Sequence, residues 1–519
     1  MRLAAIDLGS NSFHLVVVDA HPDGSFDTLL KDKETLRLGD VVTRTGGIPL
    51  DSIDRVVETM QRFAVSAGSI GATEISACAT SALREAENSA EVVDRIAAET
   101  GIKVDVISGQ AEARLIFSAI RESVDLGPGP AICFDLGGGS LEIMVGGNSG
   151  LLWCTSVHLG VARLAAQFVR EDPPSAGELR RLKAHITEVL SPVAKEVRRF
   201  DPKLMVVTSG TFGDLSRMAA AARTGAVPAT LNQLTTRRRD VQEVHERLLA
   251  LPAAGRARIS GLDVRRADQI PVGSLVLVTI LKQFGFDTMI ASDWALREGI
   301  VLEAIRHHEV AEWTGDAEAI RRSSVLGLAR RCGWDEPHAV QVARLATDLF
   351  DQTQDLHALS AYDRELLDYG ALLHDIGEHV AVESHHKHTA YLIEHGRLRG
   401  FSPEDIAVLG VLGRYHRRSE PKTSFAPYGA LSGERRTATL QLLSLLRLAD
   451  GLDRGHAATV DAVRAVVTER RVRLEVSASG DMDLELWGVR RKRDLFEKLF
   501  DRSLEIVAAG APAVLDPSA

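Results

Sequence analysis

Apolar positions near the start of the chain fall into two runs separated by a short polar turn. Leu3-Ala4-Ala5-Ile6 leads into Asp7-Leu8-Gly9-Ser10-Asn11-Ser12, and Phe13 to Val18 resumes the apolar pattern. The order reads strand, turn, strand. A second stretch repeats it: Ala131-Ile132-Cys133-Phe134, then Asp135-Leu136-Gly137-Gly138-Gly139-Ser140-Leu141-Glu142, then another apolar strand. With Asp7 laid over Asp135, the Asp, Leu, Gly and Ser positions coincide. That separation is too long for a solenoid repeat and predicts two related domains facing each other. Common turn formers also allow a chance likeness between two hairpins.

Material after each hairpin repeats as well. Thr73 to Arg84 is predicted as a strand running into a Thr/Ser helix start, and Lys203 to Gly213 is its counterpart. Val104 to Gly109 reads as a strand and turn, followed by a helix from Gln110. Gly127-Pro128-Gly129-Pro130 marks the boundary between the two halves. Residues 175–199 and 235–250 carry helical periodicity, with a break expected at Pro192. From about residue 315 the chain reads as almost wholly helical. Alternation returns at Arg471–Val476 and Met482–Trp487, predicting two strands, and a helix is expected over Arg490–Ile506. The tail 511–519 is expected to fray.

Length and charge narrow the classes. A chain of 519 residues is expected to hold several domains. A net charge of −10 argues against a general nucleic-acid or membrane-surface binder, while leaving room for a locally basic groove. No apolar run reaches membrane-spanning length and the start lacks a signal-peptide pattern. Cys78, Cys133, Cys154 and Cys332 include no CxxC pair, so free thiols in a reducing cytoplasm are expected.

The chemistry gathers on the hairpins. Gly137, Gly138 and Gly139 remove every Cβ from the turn, which lets backbone N–H groups close on a phosphate; a tight structural turn is the plainer reading. Asp135 and Glu142 could hold a hard cation. Arg84, one turn into its helix, could grip phosphate. Glu112, in the first turn of its helix, is either a partner for the helix dipole or a general base on water.

These motifs resemble the exopolyphosphatase / guanosine pentaphosphate phosphohydrolase (Ppx/GppA) family, within the actin–hexokinase–Hsp70 superfamily. They are Asp7–Phe13, Thr80–Arg84, Gly109–Arg114, Asp135–Glu142, Ser209–Thr211 and Ser292–Gly299, in family order over roughly residues 1–306. The implied fold is an α/β actin-like (ASKHA) pair of duplicated ribonuclease-H-like domains, followed by an all-α HD-type domain and a small α+β C-terminal domain. The expected boundaries are 1–126, 127–306, 315–459 and 460–519. By the resemblance Glu112 activates water, and Asp135 and Glu142 serve Mg²⁺ (or Mn²⁺) and catalysis. Arg84 grips phosphate. Gly137, Gly138, Gly139 and Ser140 form one phosphate loop and Ser10, Asn11 and Ser12 the other, with Ser209, Gly210 and Thr211 closing the cleft. Ala111, Leu141 and His14 depart from the family pattern, and the first leaves Glu112 as the one candidate base there.

The activity so implied is release of terminal orthophosphate from linear inorganic polyphosphate by Mg-assisted attack of water. Guanosine pentaphosphate (pppGpp) is the alternative substrate. A nucleotide-sensing regulatory protein and an ATP-dependent kinase of the actin-like superfamily are the rival readings. A cytoplasmic homodimer is implied as well.

Nine of the 17 histidines fall between residues 338 and 416. The ordered set His338, His374-Asp375, His388, His416 and Asp450 resembles the H…HD…H…H…D pattern of metal-dependent HD domains, with His386 as the alternative to His388. A second divalent metal site is therefore expected. Lys387, Arg414, Arg417 and Arg418 would suit an anionic substrate.

Overall fold

The structure, a computed structural model, describes residues 1–21, 25–308, 317–417 and 419–509. The chain divides into two compact units, Met1–Ile320 and Arg321–Ala519. Arg418 and the tail 511–519 lie outside the described residues.

The first unit holds two sheets. Strands β1 (Arg2–Leu8), β2 (Ser12–Ala20), β3 (Phe26–Thr35), β4 (Glu74–Ala79) and β5 (Val104–Val106) lie in the order β3-β2-β1-β4-β5. Strands β6 (Ala131–Leu136), β7 (Leu141–Gly147), β8 (Gly150–Val157), β9 (Leu204–Thr208), β10 (Leu234–Arg237) and β11 (Thr288–Ala291) lie in the order β10-β11-β9-β6-β7-β8. With the edge strand β10 set aside, the second order repeats the first. Each sheet opens with an antiparallel hairpin and adds its later strands in parallel on the far side of the first strand. Parallel addition requires a helical crossover. Leu50–Ser69 lies between β3 and β4, and Ala176–Val197 between β8 and β9. The latter helix runs through Pro192 without a break. The expected helix at 235–250 begins later, at Arg238, because Leu234–Arg237 pairs with β11.

The central strands β1, β6, β7 and β9 read as mostly apolar runs because both of their faces are covered. Ala4, Ile6 and Leu8 of β1 face an outer core with Val56, Met60 and Phe63. Leu3 and Ala5, on the opposite face, join a core that also takes Ala131 and Cys133 from β6. Ile132, Phe134 and Leu136 face a second outer core. The inner core contains helices Gly109–Arg121 and Leu296–His307. These helices cross so closely that a Cβ on Gly299 would clash with the Leu115 carbonyl. That crossing brings Glu112, Arg297 and Glu298, each in the first turn of its helix, to one cleft.

The second unit is built on helices Glu336–Gln352, Ala361–Leu373, His385–His395, Pro403–Tyr415 and Gly433–Leu452. Strands β12 (Val460–Val467), β13 (Arg471–Ala478) and β14 (Ser503–Ala508) form a sheet in that order. Val460, Leu474 and Ile506 share one hydrophobic cluster with Leu345, Leu409 and Leu446, so the 460–509 segment packs on the helices instead of enclosing a core of its own.

Two predicted elements differ. Met482–Trp487 is not a strand; Asp483–Arg490 is a helix. Leu486 and Val489 are its buried apolar side chains, a spacing of three. Gly488 lies directly on the backbone of Gly451. The expected helix Arg490–Ile506 is helical only at Asp494–Phe500. Asp501 then takes a left-handed conformation with φ 50°, and Ser503–Ala508 pairs in parallel with β13.

Candidate functional site

The two hairpin turns are built alike. In the first, Ser10 O accepts from Gly39 N (2.8 Å), and Asn11 O accepts from Leu36 N (3.2 Å) and Arg37 N (2.9 Å). In the second, Gly137 O accepts from Val161 N (3.0 Å) and Gly138 O from Ala162 N (3.0 Å). Gly139 O accepts from Gly160 N (3.3 Å) and from Arg163 Nε (3.0 Å). The start of the next helix thus takes up the carbonyls of each turn. Among the described residues, the N–H groups of Gly138 and Gly139 have no protein acceptor. Unpaired N–H groups in succession make a concavity for an anion.

The turns pack against each other. A Cβ on Gly138 would stand 3.1 Å from Ser10 Cβ, and one on Gly139 would clash with Ser81 Oγ. Ser10 Oγ accepts from Ala82 N (3.1 Å), which ties the Ser81–Glu85 helix to the first turn. A Cβ on Gly160 would overlap the backbone of Gly138 and Gly139. Gly160→Ala is therefore expected to displace the glycine turn and to cost about 1–3 kcal/mol. A melting temperature and substrate KM equal to those of the parent would contradict this.

Six carboxyl groups, Asp7, Glu112, Asp135, Glu142, Asp293 and Glu298, line the same cleft, whose volume is about 300 Å³. Glu112 is buried and receives Arg84 Nη1 at 3.1 Å, while the same nitrogen donates to Ile107 O at 2.7 Å. Glu142 accepts from Ser156 Oγ at 2.7 Å. Asp135 sits opposite Glu142 in the β6–β7 register. Asp7 carries a buried Oδ1 with no hydrogen-bond partner. Burial, and then the negative charge of Glu142, push the Glu112 carboxyl well above its ordinary range against the pull of Arg84. Burial, then Glu142 and Asp7, do the same to Asp135. Asp7 is pushed up to about 7, mainly by burial.

The remaining wall is cationic. Arg297 pairs with Glu298 at 2.8 Å and contacts His14 Nδ1 at 3.3 Å. Burial, then Arg297 and Lys33, drive His14 down to about 3, so its ring is neutral and can accept from Arg297. His14 holds the register position opposite Asp7 that Glu142 holds opposite Asp135. Lys33 is lowered to about 8 by burial and the nearby Arg266 and Arg265. Arg266, held by Asp214 at 2.9 Å, lies over Gly210, where a Cβ would clash with its guanidinium. Ser209 has φ 109°, a strained value for a side-chain-bearing residue that recurs at ligand sites.

Glu112, Asp135, Glu142, Ser10, Asn11, Ser12, Gly137–Ser140 and Ser209–Thr211 all line this one cleft. Arg84 reaches it through its bond to Glu112. Asp7, Lys33, Arg266, Arg297 and Glu298 also line it and carry no role in the sequence reading. A signal for Asp7 was present, because it is the repeat partner of Asp135.

In the second unit, histidines converge around Asp375. His374 Nδ1 bonds to Ala371 O (2.7 Å), His385 Nδ1 to Val382 O (3.0 Å), and His416 Nδ1 to Gly413 O (2.8 Å). His338 Nδ1 bonds to Asp453 (2.8 Å). Each ring is oriented by one nitrogen and offers Nε2 to the centre, the arrangement that metal-binding histidines use. His385 Nε2 and His416 Nε2 lie 3.0 Å and 3.2 Å from Asp375 Oδ1. His338 Nε2 and His374 Nε2 are 3.2 Å apart, and Asp450 joins that pair. Neither His388 nor His386 belongs to these groups. His385 takes the position instead, because the helix starts there and its first residue faces Asp375. Asp450 also pairs with Lys492. Arg414 lies 4.6 Å from the Phe425 ring, and Arg417 faces the cavity above the cluster.

Among the described residues, no helix is long and apolar enough to cross a membrane.

Residues 17–308 match the Ppx/GppA phosphatase family, and residues 320–486 match its domain III. Exopolyphosphatase 1 of Mycobacterium tuberculosis is 34% identical over 338 residues, 65% of this chain and 96% of that protein. Exopolyphosphatase 1 of Mycobacterium leprae is 35% identical over 306 residues, 59% of this chain and 90% of that protein. A crystal structure of an exopolyphosphatase from Cytophaga hutchinsonii superposes with a TM-score of 0.56 at 28% identity, covering 60% of this chain and all of that one. The Aquifex aeolicus Ppx/GppA family member gives a TM-score of 0.52 at 26% identity, covering 60% of this chain and 99% of that one. The two repeated sheets thus form the actin-like pair seen in those structures. This chain belongs to the Ppx/GppA phosphatase family and is a phosphoanhydride hydrolase.

Proposed function

We propose that the cleft of the first unit releases terminal orthophosphate from linear inorganic polyphosphate. The observation that carries this choice is the lining: glycine turns, hydroxyls and cations face the space, and no Phe, Tyr or Trp ring does so among the described residues. Polyphosphate needs only donors and positive charge, whereas a guanine base gains from a stacking platform. In this reading Glu112 takes a proton from water as the water oxygen attacks the terminal phosphorus in line. Arg84 holds the Glu112 carboxylate in place. N–H groups of Gly138 and Gly139 receive the phosphate oxygens, and Lys33, Arg266 and Arg297 offset the charge of the chain.

Asp7, Asp135 and Glu142 are an all-oxygen donor set, and the unpartnered Asp7 Oδ1 fits a hard cation such as Mg²⁺ or Mn²⁺. When bound, the ion supplies Lewis-acid stabilisation of phosphate charge. In the second unit, His338, His374, Asp375, His385, His416 and Asp450 would hold divalent metal through imidazole nitrogen and carboxylate, with Asp375 shared. This histidine–aspartate centre is the HD-type feature of our reading.

Orthophosphate release from long-chain polyphosphate and from guanosine pentaphosphate, measured in parallel with Mg²⁺, tests the substrate. Polyphosphate is expected to give the higher kcat/KM; no release from it, or a preference for the nucleotide, would overturn the choice. Asp375→Ala is expected to strip bound Mn²⁺ from the second unit, read by metal analysis of the purified protein. Unchanged metal content would remove the metal centre from the reading.

A further inference from the structure

Above the histidine–aspartate cluster of the second unit lies a cavity of about 530 Å³. That volume suits a small organic ligand. Asp375, His385, His416 and Asp450 form one side of it. Arg417, Arg454 and Arg491 line the same space, and among the described residues none of the three forms an ion pair. The carboxylates around them are largely engaged. Glu420 holds Lys498 at 2.8 Å, Glu378 lies 3.5 Å from His385 Nδ1, and Asp450 holds Lys492. Asp494 is the remaining rim carboxylate. Three guanidinium groups without a carboxylate partner, against one such carboxylate, make the mouth of the cavity a site for an anion.

An aromatic surface stands beside them. Trp487 lines the cavity, is 48% exposed, and has the Arg491 guanidinium 5.0 Å from its ring. A large apolar ring left in water at the edge of a charged pocket is a platform for a flat partner. Among the described residues no such ring lines the first cleft, so the two sites differ in what they can hold.

We propose that the second unit is a separate phosphohydrolase site whose substrate is a nucleoside monophosphate. Its phosphate is placed at the His/Asp centre by Arg417 and Arg454, and its base stacks on Trp487. This rests on the metal-centre reading above. In the reaction, the oxygen of a water attacks phosphorus and the bond from phosphorus to the ribose oxygen breaks. That oxygen leaves with the electron pair and takes up the proton given up by the water, so the products are nucleoside and orthophosphate. His338, His374, Asp375, His385, His416 and Asp450 would hold divalent ions, which would supply Lewis-acid chemistry at that water.

The test uses the full chain carrying Glu112→Gln, so that the first cleft is silenced, loaded with Mn²⁺ and supplied with AMP or ribose 5-phosphate. Orthophosphate release is expected from AMP, with ribose 5-phosphate at least about tenfold poorer in kcat/KM, a stacking contribution of about 1.4 kcal/mol. Two variants at exposed or half-buried positions keep the test independent of folding. Trp487→Ala is expected to raise the KM for AMP about tenfold, and Arg417→Ala with Arg454→Ala by more than that, while bound Mn²⁺ stays the same. Mn²⁺ bound without AMP binding or hydrolysis would overturn this proposal and leave the metal centre standing. Failure to bind Mn²⁺ would overturn both. Equal turnover of AMP and ribose 5-phosphate would overturn the assignment of a nucleoside.

Discussion

Replacing Glu112 with glutamine is expected to lower kcat on polyphosphate by about 10²–10⁴-fold with little change in KM, the range for loss of a positioned general base. Glutamine keeps the size of the side chain and an oxygen for Arg84, so the change isolates the proton-accepting step. The pH profile is the sharper readout. Burial and the neighbouring Glu142 hold the Glu112 carboxyl well above its ordinary range. A base works deprotonated, so activity should climb with pH through a midpoint above the usual carboxylate region. Arg84→Ala removes the charge that pulls this group down and should move the midpoint higher still. Stability moves the other way. A carboxyl whose folded value is raised binds more protons in the folded state, so stability falls as pH rises from the unfolded value toward the folded one. Glu112→Gln deletes that penalty and should raise the melting temperature of metal-free protein at neutral pH. Full residual hydrolysis, or an acid limb in the ordinary carboxylate range, would sink the assignment.

Arg297→Ala is expected to be the most destabilising single change in the cleft. The Glu298 side chain is 2% exposed, paired with Arg297 at 2.8 Å and with Lys31 at 3.2 Å. Burial alone would raise the Glu298 carboxyl, but Arg297 and then Lys31 outweigh it and bring it down to about 2. Removing Arg297 leaves a buried carboxylate with a half-share of Lys31, at a cost of about 3–5 kcal/mol. The sign of the pH dependence is fixed by the same shift. A depressed carboxyl contributes stability above its unfolded value of 4.5, and that contribution is lost as pH falls toward about 2. The gap between parent and variant should therefore be widest near neutrality and close in acid. Urea unfolding at about pH 7 and about pH 3 reads both ends. A gap that does not change between them would show that the loss is packing and not the ion pair.

Much of the first unit was legible along the chain. Two similar hairpins, each followed by a strand and a Thr/Ser helix start, implied duplication, and the sheets have matching order because equal patterns of apolar runs bury in equal ways. Glu112 and the glycine turn were visible because helix starts and glycine runs have local signatures. Arg297 was not, because its importance comes from a helix crossing at Gly299 that no local pattern encodes. The ring at His385 was missed for a similar reason. Three histidines within four residues look alike in sequence, and only the start of the helix decides which of them faces Asp375. Met482–Trp487 alternates as a strand does, yet its packing against Gly451 selects a helix.

Alternation, glycine placement and repetition by themselves determined two apolar sheets, two matching hairpin turns and a helical second half rich in histidine, because each follows from local sterics and from the need to bury apolar faces. Tertiary structure decided which charges meet. It set Arg84 on Glu112, Arg297 on Glu298, and His385 on Asp375. Pairings between residues distant in sequence depend on where whole elements pack, and an ion pair or a metal site exists only at the few ångströms that packing fixes.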